Sequence, residues 1–439
     1  MTNTDLRGTV EGRVLLPGDD GFEQAAKPWN LAVRQPVAAV VDAGDAADVA
    51  AVVRYAAKTG LTVTAQPSGH GAVSDTEGVI LLRTRRLGGM KVRREERTAR
   101  VGAGVRWGEV LAEAGPLGLT GLAGSSPVVS VTGYTLGGGL SWFGRKYGFA
   151  ADSVRSFDVV RADGETDTVT AGSDPDLFWA LRGGGGDFAL VTAIEFDLHP
   201  APALYGGRMM WPAHRAREVF EVFREITAEA PEELSVWFGR AQFPQAPPMV
   251  ALDVAYLGEE GEGRALLARL DKIGDVIADK RGPVAVADLG NIAAEPTDPS
   301  PGRSRAELLT GLDDAAVETL LETPMEPLVG VQVRHLGGAL AAARPDAGPS
   351  GPVAEPYLLY LFGLAFNPEL SAAVGARQER FVEEFGGLVS GRKPYTMLAG
   401  GERAAAAFAE GDLARLRDIK RDRDPHGVLR ANFPVLAGA

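Results

Sequence analysis

The chain has 439 residues, of which 45% are hydrophobic and 23% are charged, and it contains no cysteine. This composition is typical of globular proteins and excludes wholesale disorder, disulfides, zinc-thiolate sites and thiol nucleophiles. The formal charge of −13, with no basic stripe, predicts no nucleic-acid partner and no binding to anionic membranes. The first residues lack a signal-peptide pattern, and no apolar run approaches the ~20 residues of a membrane helix, so we expect a cytoplasmic protein.

The first 200 residues alternate strand and helix signals at short spacing. A β-branched run at 37–41 is followed by a helix signal, with apolar residues at 49, 52, 53 and 56, and then by a strand signal at 61–65. This order is the pattern of a βαβ unit. Further elements are predicted as strands at 79–83, 99–103, 157–161, 166–170 and 188–198 and as helices at 107–114 and 174–181.

After Pro202 the helix and strand signals become longer and more widely spaced. Long helix signals alternate with strands whose apolar and polar residues occupy opposite faces. Such strand-strand-helix repeats favour an antiparallel sheet backed by helices, so the whole chain is predicted to be α+β. The elements are predicted as helices at 213–228, 262–273, 370–385 and 404–419 and as strands at 236–243, 249–256 and 328–335.

Three glycine-rich loops stand out in the first 190 residues, at 67–71, 121–127 and 183–188, and the second leads on to Gly137-Gly138-Gly139. Glycine allows positive φ and lets backbone N–H groups approach an anion closely. Several such loops favour a ligand with phosphates and a large planar group, although any single loop is better explained by a tight turn. None matches a Rossmann fingerprint or a P-loop.

His70 lies between two glycines directly after a predicted strand. An imidazole in this position could act as a base or as a point of covalent attachment. The ordinary alternative is a surface or hydrogen-bonding histidine, and the spacing leaves both open. None of the five histidines pairs at metal-ligand spacing, so no metal site is expected.

The loop Gln66-Pro67-Ser68-Gly69-His70-Gly71 is followed in order by motifs at 133–139, 147–154, 174–192 and 424–432. This series resembles the berberine-bridge-enzyme-like flavoproteins, which are FAD-linked oxidases of the vanillyl-alcohol-oxidase type. The resemblance runs from about residue 26 to 433. It implies a PCMH-type FAD-binding domain at 1–200, a substrate-binding domain at 201–393, and a C-terminal segment at 394–439 that returns to the FAD-binding domain.

The resemblance also implies roles for individual residues. His70 matches the histidine that carries FAD through its 8α-methyl group, whereas Ser126 stands where many members have a cysteine that forms a second bond, so a single covalent link is expected. Val129 lies at the position of an oxygen gatekeeper, and its small side chain resembles the oxidases. Further cofactor contacts are implied at Pro67, Ser68, Gly69, Gly71, Ala72, Gly124, Ser125, Gly133, Gly137, Gly138, Val191 and Asn432.

Tyr395 is the candidate catalytic base. Alcohol-oxidising members have a Tyr-x-Asn-Tyr segment here, of which this chain keeps Tyr395 but has Met397 and Leu398 at the other two positions. A phenol can serve as a base if its pKa is lowered. The alternative is an aromatic side chain that packs on the flavin and is also a cofactor contact. Leu140, where sugar-oxidising relatives often have tyrosine, argues against a carbohydrate.

Four side chains of the substrate-binding part are candidates for a pocket: Trp237, Gln332, His335 and Tyr360. The alternative for the aromatic residues is core packing. On the strand at 328–335, alternation places Gln332 and Arg334 on one face and His335 on the other.

The resemblance implies an oxidase that transfers a hydride from an alcohol or activated C–H group of a small, secondary-metabolite-like molecule to flavin N5. Reoxidation by O2 would then give H2O2. Two alternatives remain open: an oxidative cyclase, oxygenase or redox-neutral rearrangement enzyme, and a ligand-binding homologue without catalytic activity.

Overall fold

The computed structural model describes residues 3–437. Its first elements are β1 (Arg13–Leu15), α1 (Phe22–Ala26), β2 (Ala39–Asp42), α2 (Ala46–Thr59), β3 (Thr62–Ala65) and β4 (Val79–Arg83). The four strands form a sheet of order β1-β2-β4-β3, in which β2 and β3 run parallel to β4. The carboxylate of Asp45 accepts a hydrogen bond from the Asp48 backbone at the start of α2, and Gly60 ends this helix with a φ of 72°. The predicted βαβ unit is confirmed.

A second sheet of order β5-β6-β10-β8-β9 is antiparallel throughout, while β7 and β11 form a separate pair. These strands are β5 (Met90–Arg93), β6 (Thr98–Gly102), β7 (Leu119–Thr120), β8 (Val154–Val160), β9 (Thr166–Val169), β10 (Leu190–Asp197) and β11 (His199–Pro200). The helices between them are α3 (Trp107–Ala114), α4 (Val131–Leu136), α5 (Gly144–Tyr147) and α6 (Pro175–Leu181).

The third and largest sheet is antiparallel, with the order β15-β12-β14-β13-β18-β19-β17 and β16 paired to β12. Its strands are β12 (Tyr205–Pro212), β13 (Leu234–Ala241), β14 (Met249–Tyr256), β15 (Ala278–Asp279), β16 (Gly282–Pro283), β17 (Gly302–Leu309), β18 (Gly330–His335) and β19 (Tyr357–Leu364). One face packs on helices α7 (Ala216–Glu229), α8 (Glu260–Leu267), α9 (Asp314–Glu322) and α10 (Pro368–Glu383). The predicted helix-backed antiparallel sheet, and with it the α+β class, is confirmed.

Two predicted helix bounds are wrong. The last helix, α11, spans Glu410–Arg423 and not 404–419, because residues 404–406 form a separate 3₁₀ turn and Ala409 is extended. Glu410 and Asp412 then place negative charge in the first turn, where it stabilises the helix dipole. Where a helix is predicted at 262–273, the α-helix ends at Leu267 and residues 268–272 form a 3₁₀ turn.

The C-terminal segment packs on the first two hundred residues. Leu416, Ile419 and Phe433 share a buried core with Phe178 and Phe188. This packing supports the implied return of the segment to the FAD-binding part, while the domain bounds at 200 and 393 stay predictions. Between residues 3 and 437, the structure has no helix with the length and apolar character needed to cross a bilayer.

A buried charge network holds this segment in place. The Lys420 ammonium donates to an Asp424 carboxylate oxygen at 2.8 Å, to the Asp187 carbonyl at 2.7 Å and to the Leu429 carbonyl at 2.7 Å. The Asp187 carboxylate accepts from the backbone N–H groups of Ala431 and Val435, at 2.9 and 2.8 Å. The third glycine loop, α11 and the C-terminal chain are therefore joined by one set of buried contacts.

We predict that Lys420→Met destabilises the fold by about 3–5 kcal/mol, because it leaves two buried carboxylates without their cation. Urea unfolding followed by circular dichroism measures this change. The matched control is Arg421→Met, since Arg421 is exposed and pairs with Asp418 one turn away on the same helix; its effect should stay within about 0.5 kcal/mol. Equal effects of the two substitutions would show that the network does not stabilise the fold.

Candidate active site

His70 lies in the loop after β3, with its ring stacked on Trp29 at a centroid distance of 4.3 Å. Its Nδ1 is 2.9 Å from the Ser68 hydroxyl oxygen. Its Nε2 is buried and has no hydrogen-bond partner among residues 3–437. Burial, with a smaller contribution from Arg106, lowers the pKa of His70 to about 4. The imidazole is therefore neutral at pH 7, and when Nδ1–H donates to Ser68, Nε2 carries a free lone pair.

Close contacts fix the backbone around His70. Gly69 has a φ of +90°, and a Cβ there would lie 2.6 Å from the Gln66 amide nitrogen and 2.9 Å from Pro28. Asn432 of the C-terminal segment donates its side-chain amide to the Gly71 carbonyl at 2.6 Å. The structure thus brings Asn432 to the loop of Pro67, Ser68, Gly69, Gly71 and Ala72, as the resemblance implies for cofactor contacts.

The second glycine loop lies beside the first. The Ser130 hydroxyl caps α4 by accepting from the Gly133 N–H at 3.2 Å, and a Cβ on Gly133 would lie 4.0 Å from Pro67. The Ser126 hydroxyl is buried and unpartnered within the described chain. Val129 is half-buried and its carbonyl accepts from the Trp107 N–H at 3.0 Å. Gly124 and Ser125 belong to this loop, whereas Val191 is buried within β10.

The third glycine loop meets Tyr395. A Cβ on Gly185, where φ is +90°, would lie 2.4 Å from the Tyr395 hydroxyl oxygen, and one on Gly137 would lie 3.3 Å from the same ring. Gly138 has a φ of +94°, and its Cβ position is 2.8 Å from the Ser350 hydroxyl. These backbone approaches explain why no larger residue fits at these positions.

The environment of Tyr395 favours packing over base catalysis. Its hydroxyl donates to the Phe433 carbonyl at 3.2 Å, and its ring packs on Phe408 and Phe433. Burial, reinforced by the Asp187 carboxylate, raises its pKa far above the ordinary value for tyrosine. A base needs the opposite shift. The catalytic role of Tyr395 stays a prediction, and these two observations speak against it.

The four candidate pocket residues do not share one face of the large sheet. Gln332 lies directly opposite Tyr360 on β19, and Trp237 lies directly opposite Arg334. Trp237, Gln332 and Tyr360 lie on the face turned towards the glycine loops, where the Trp142 ring stacks on Trp237 at 3.5 Å. His335 lies on the helix-packed face.

The side chain of His335 is held by Arg145, which lies within the first 200 residues. Its Nε2 is 3.0 Å from a terminal nitrogen of Arg145. Burial, followed by the nearby Arg145 charge, lowers the pKa of His335 to about 3. Arg145 also donates to the carbonyls of Leu234 and Leu336. The contact between Arg145 and His335 therefore joins α5 to the large sheet.

Sequence reasoning missed Arg334 and Tyr134 as site residues. Arg334 is buried between the rings of Trp237 and Tyr360. The Tyr134 ring lies 3.2 Å from the Cβ position of Gly124 and 2.5 Å from that of Gly139, and its hydroxyl is buried without a partner in the described chain. The alternation of β18, which places Arg334 beside Gln332, was the one signal that could have identified the arginine.

These residues fit a bound FAD. Three glycine-lined loops converge with Asn432, and the buried Nε2 of His70, the Ser126 hydroxyl and the Tyr134 hydroxyl have no hydrogen-bond partner among the residues that the structure describes. Buried polar groups normally have partners, so these atoms indicate a ligand at this place. Across residues 3–437 no group of three or more His, Asp or Glu side chains could hold a metal ion.

Comparison with known proteins agrees with this site. Residues 37–170 match the family described as FAD binding domain. The chain is 30% identical over 297 residues to (R)-6-hydroxynicotine oxidase of Paenarthrobacter nicotinovorans, which covers 65% of this chain and 63% of that protein. It is 36% identical over 204 residues to an FAD-dependent monooxygenase of Fusarium proliferatum, covering 45% of this chain and 40% of that protein. The chain thus spans less than two thirds of the length of these relatives.

Solved structures match over the whole chain. The 6-hydroxy-D-nicotine oxidase from Arthrobacter nicotinovorans has a TM-score of 0.85 at 22% identity, with 99% of each chain covered. The BBE-like 1 protein of Physcomitrella patens has a TM-score of 0.86 at 19% identity, with 100% of each chain covered.

Residues 37–170 therefore match an FAD-binding domain, and the chain is similar in sequence to proteins named as FAD-linked oxidoreductases and oxidases. The expected PCMH-type fold is confirmed, because the chain shares the fold of these two solved structures.

We predict that Gly185→Ala lowers both the unfolding temperature and the flavin-to-protein ratio, since the new methyl group would clash with Tyr395 in a left-handed backbone. The expected loss of stability is about 2 kcal/mol or more. The matched control is Gly186→Ala, because its Cβ position has no neighbour within 4 Å. Differential scanning fluorimetry and the visible flavin band measure the two properties. Normal stability and flavin content in Gly185→Ala would contradict the packing of Tyr395 on this loop.

Proposed function

We propose that this protein is an oxidase that removes a hydride and a proton from an alcohol or activated C–H group of a small, secondary-metabolite-like substrate. The two electrons and two protons pass to O2 and give H2O2, so the overall reaction balances. When bound, FAD supplies the electron acceptor, with N5 as the position that receives the hydride. Asn432 and the loop at 67–72, which it contacts through the Gly71 carbonyl, would hold the cofactor near His70.

The single observation that supports this proposal is the state of His70. Its ring is fixed by Trp29 and Ser68, it is neutral, and its Nε2 is buried without a partner in the described chain. An unprotonated imidazole nitrogen is a competent nucleophile. We propose that His70 Nε2 is bonded to the 8α carbon of FAD. This bond would replace an 8α C–H bond, whose proton would leave to solvent while its two electrons would reduce the flavin, and O2 would then reoxidise the flavin. Ser126 forms no second bond because a hydroxyl lacks the nucleophilicity of a thiolate.

We predict that acid-precipitated wild-type protein retains its yellow colour, whereas His70→Ala releases all of its flavin into the supernatant. Absorbance of the pellet and supernatant, together with the mass of the His70 peptide, measures the link. His426→Ala is the control, since His426 is exposed, and it should behave like wild type. Release of flavin from wild-type protein would overturn the covalent link while leaving FAD binding itself intact.

We further propose that Val129 admits O2 to the flavin. We predict that Val129→Leu slows reoxidation of the photoreduced protein about tenfold, which corresponds to ~1.4 kcal/mol of added barrier, because the longer side chain narrows the approach. Stopped-flow mixing with aerated buffer measures the rate constant. Val128→Leu, at the neighbouring half-buried position, is the control. Equal rates in both variants would show that Val129 does not control access.

A second candidate function is oxygenation of the substrate. Two relatives at 36% and 37% identity are named FAD-dependent monooxygenases. A turnover experiment under ¹⁸O2 separates the two functions, because an oxidase puts the label into H2O2 and a monooxygenase puts one atom into the product. A substrate for this experiment is sought by screening a panel of aromatic and polyketide alcohols for anaerobic bleaching of the flavin. Bleaching by one compound would exclude the alternative of a ligand-binding homologue without catalytic activity.

A further inference from the structure

Arg334 is a buried cation on the face of the large sheet that is turned towards the glycine loops. It is 5% exposed. Its guanidinium carbon lies 4.0 Å from the ring centre of Trp237 and 5.2 Å from that of Tyr360. Its Nε donates to the Gln332 side-chain oxygen at 2.7 Å. These contacts fix the plane of the guanidinium, and within the described part of the chain they use one of its five N–H donors.

No carboxylate of the described chain forms a direct ion pair with this charge, although Glu295 and Asp253 act on it through space. Among the side chains of residues 6–437, no Asp or Glu oxygen lies within 4.0 Å of the Arg334 guanidinium. Asp253, on the same face, is already engaged by Arg208 through two hydrogen bonds of 2.6 and 2.9 Å. Glu295 is half-buried and acts on Arg334 only through space. Buried charges are normally paired, so an unpaired guanidinium in this position calls for an external anion.

The place of Arg334 connects it to the FAD site. Trp237, on which it lies, stacks on Trp142 of the segment that follows Gly137-Gly138-Gly139. The Arg334 charge also acts on the buried Tyr134 hydroxyl, whose ring lines Gly124 and Gly139. A molecule bound at Arg334 would therefore lie between the large sheet and the loops that hold the cofactor.

We propose that Arg334 binds a carboxylate of the substrate through its two terminal nitrogens, with Gln332 as the positioning residue for the guanidinium. The planar fork of arginine matches a carboxylate with two parallel hydrogen bonds. This inference rests on the proposed function and narrows its substrate class to small organic acids that also carry the alcohol or activated C–H group to be oxidised. The aromatic rings on either side exclude water from the pair and strengthen it.

The experiment uses isothermal titration calorimetry of the purified flavoprotein with acetate and benzoate, each matched by its neutral amide. We expect at least one carboxylate to bind at least about tenfold more tightly than its amide. Arg334→Gln should weaken binding of that carboxylate by about 10- to 100-fold, as loss of a charge-assisted hydrogen bond predicts. Arg240→Gln is the matched control on the neighbouring strand, because Arg240 lies on the opposite face and donates to the Leu320 and Thr323 carbonyls.

Each outcome decides the proposal. Equal affinity of wild-type protein for both carboxylates and their amides overturns it, as does unchanged carboxylate affinity in Arg334→Gln. If Arg334→Gln fails to fold, Arg334→Lys provides the second variant, which should still prefer the carboxylate but bind it more weakly. The flavin content of every sample is measured from its visible spectrum. A colourless wild-type protein that still prefers carboxylates would contradict the proposed function and retain the anion site.

Discussion

The buried contact between Lys420, Asp187 and Asp424 is the interaction on which the site depends. The three side chains lie on the C-terminal helix, the third glycine loop and the chain that follows the helix, and they are satisfied almost entirely by one another and by backbone groups. Removing such charges from water is costly, and the cost is offset only when every partner is in place. The network therefore forms as a unit or not at all, and it fixes the C-terminal chain in one position.

Two consequences for the site follow from that position. The chain after Asp424 pairs with β3, where the Val63 N–H donates to the Val428 carbonyl at 2.8 Å and the Arg430 N–H donates to the Val63 carbonyl at 2.9 Å. This pairing carries Asn432 to the Gly71 carbonyl, directly beside His70. His70, the proposed point of covalent linkage, therefore lies in a loop that the C-terminal segment holds in place. More than 350 residues separate Gly71 of this loop from Asn432.

Local signals predicted those parts of the fold that local interactions determine. Asp45 and Gly60 set the ends of α2 through capping, which involves only neighbouring backbone groups and can therefore be recognised in the sequence. The alternation of β18 correctly separated Gln332 from His335. The start of α11 could not be read from the sequence, since the alanine-rich run before it has no side-chain cap and its backbone is set by tertiary contacts. The sequence also cannot show that Arg334 lacks a paired carboxylate in the described chain, because its neighbours come from several strands that are distant in sequence.

The net charge of the chain and the charge of Arg334 act in opposite directions on an anionic ligand. A net charge of −13 repels anions at long range, and salt at physiological strength screens this repulsion beyond about 8 Å. The Arg334 guanidinium, by contrast, acts at contact distance and is shielded from water by Trp237 and Tyr360. Recognition of an acid at this site must therefore come from short-range geometry, and raising the ionic strength should affect the rate of association more than the stability of the bound pair.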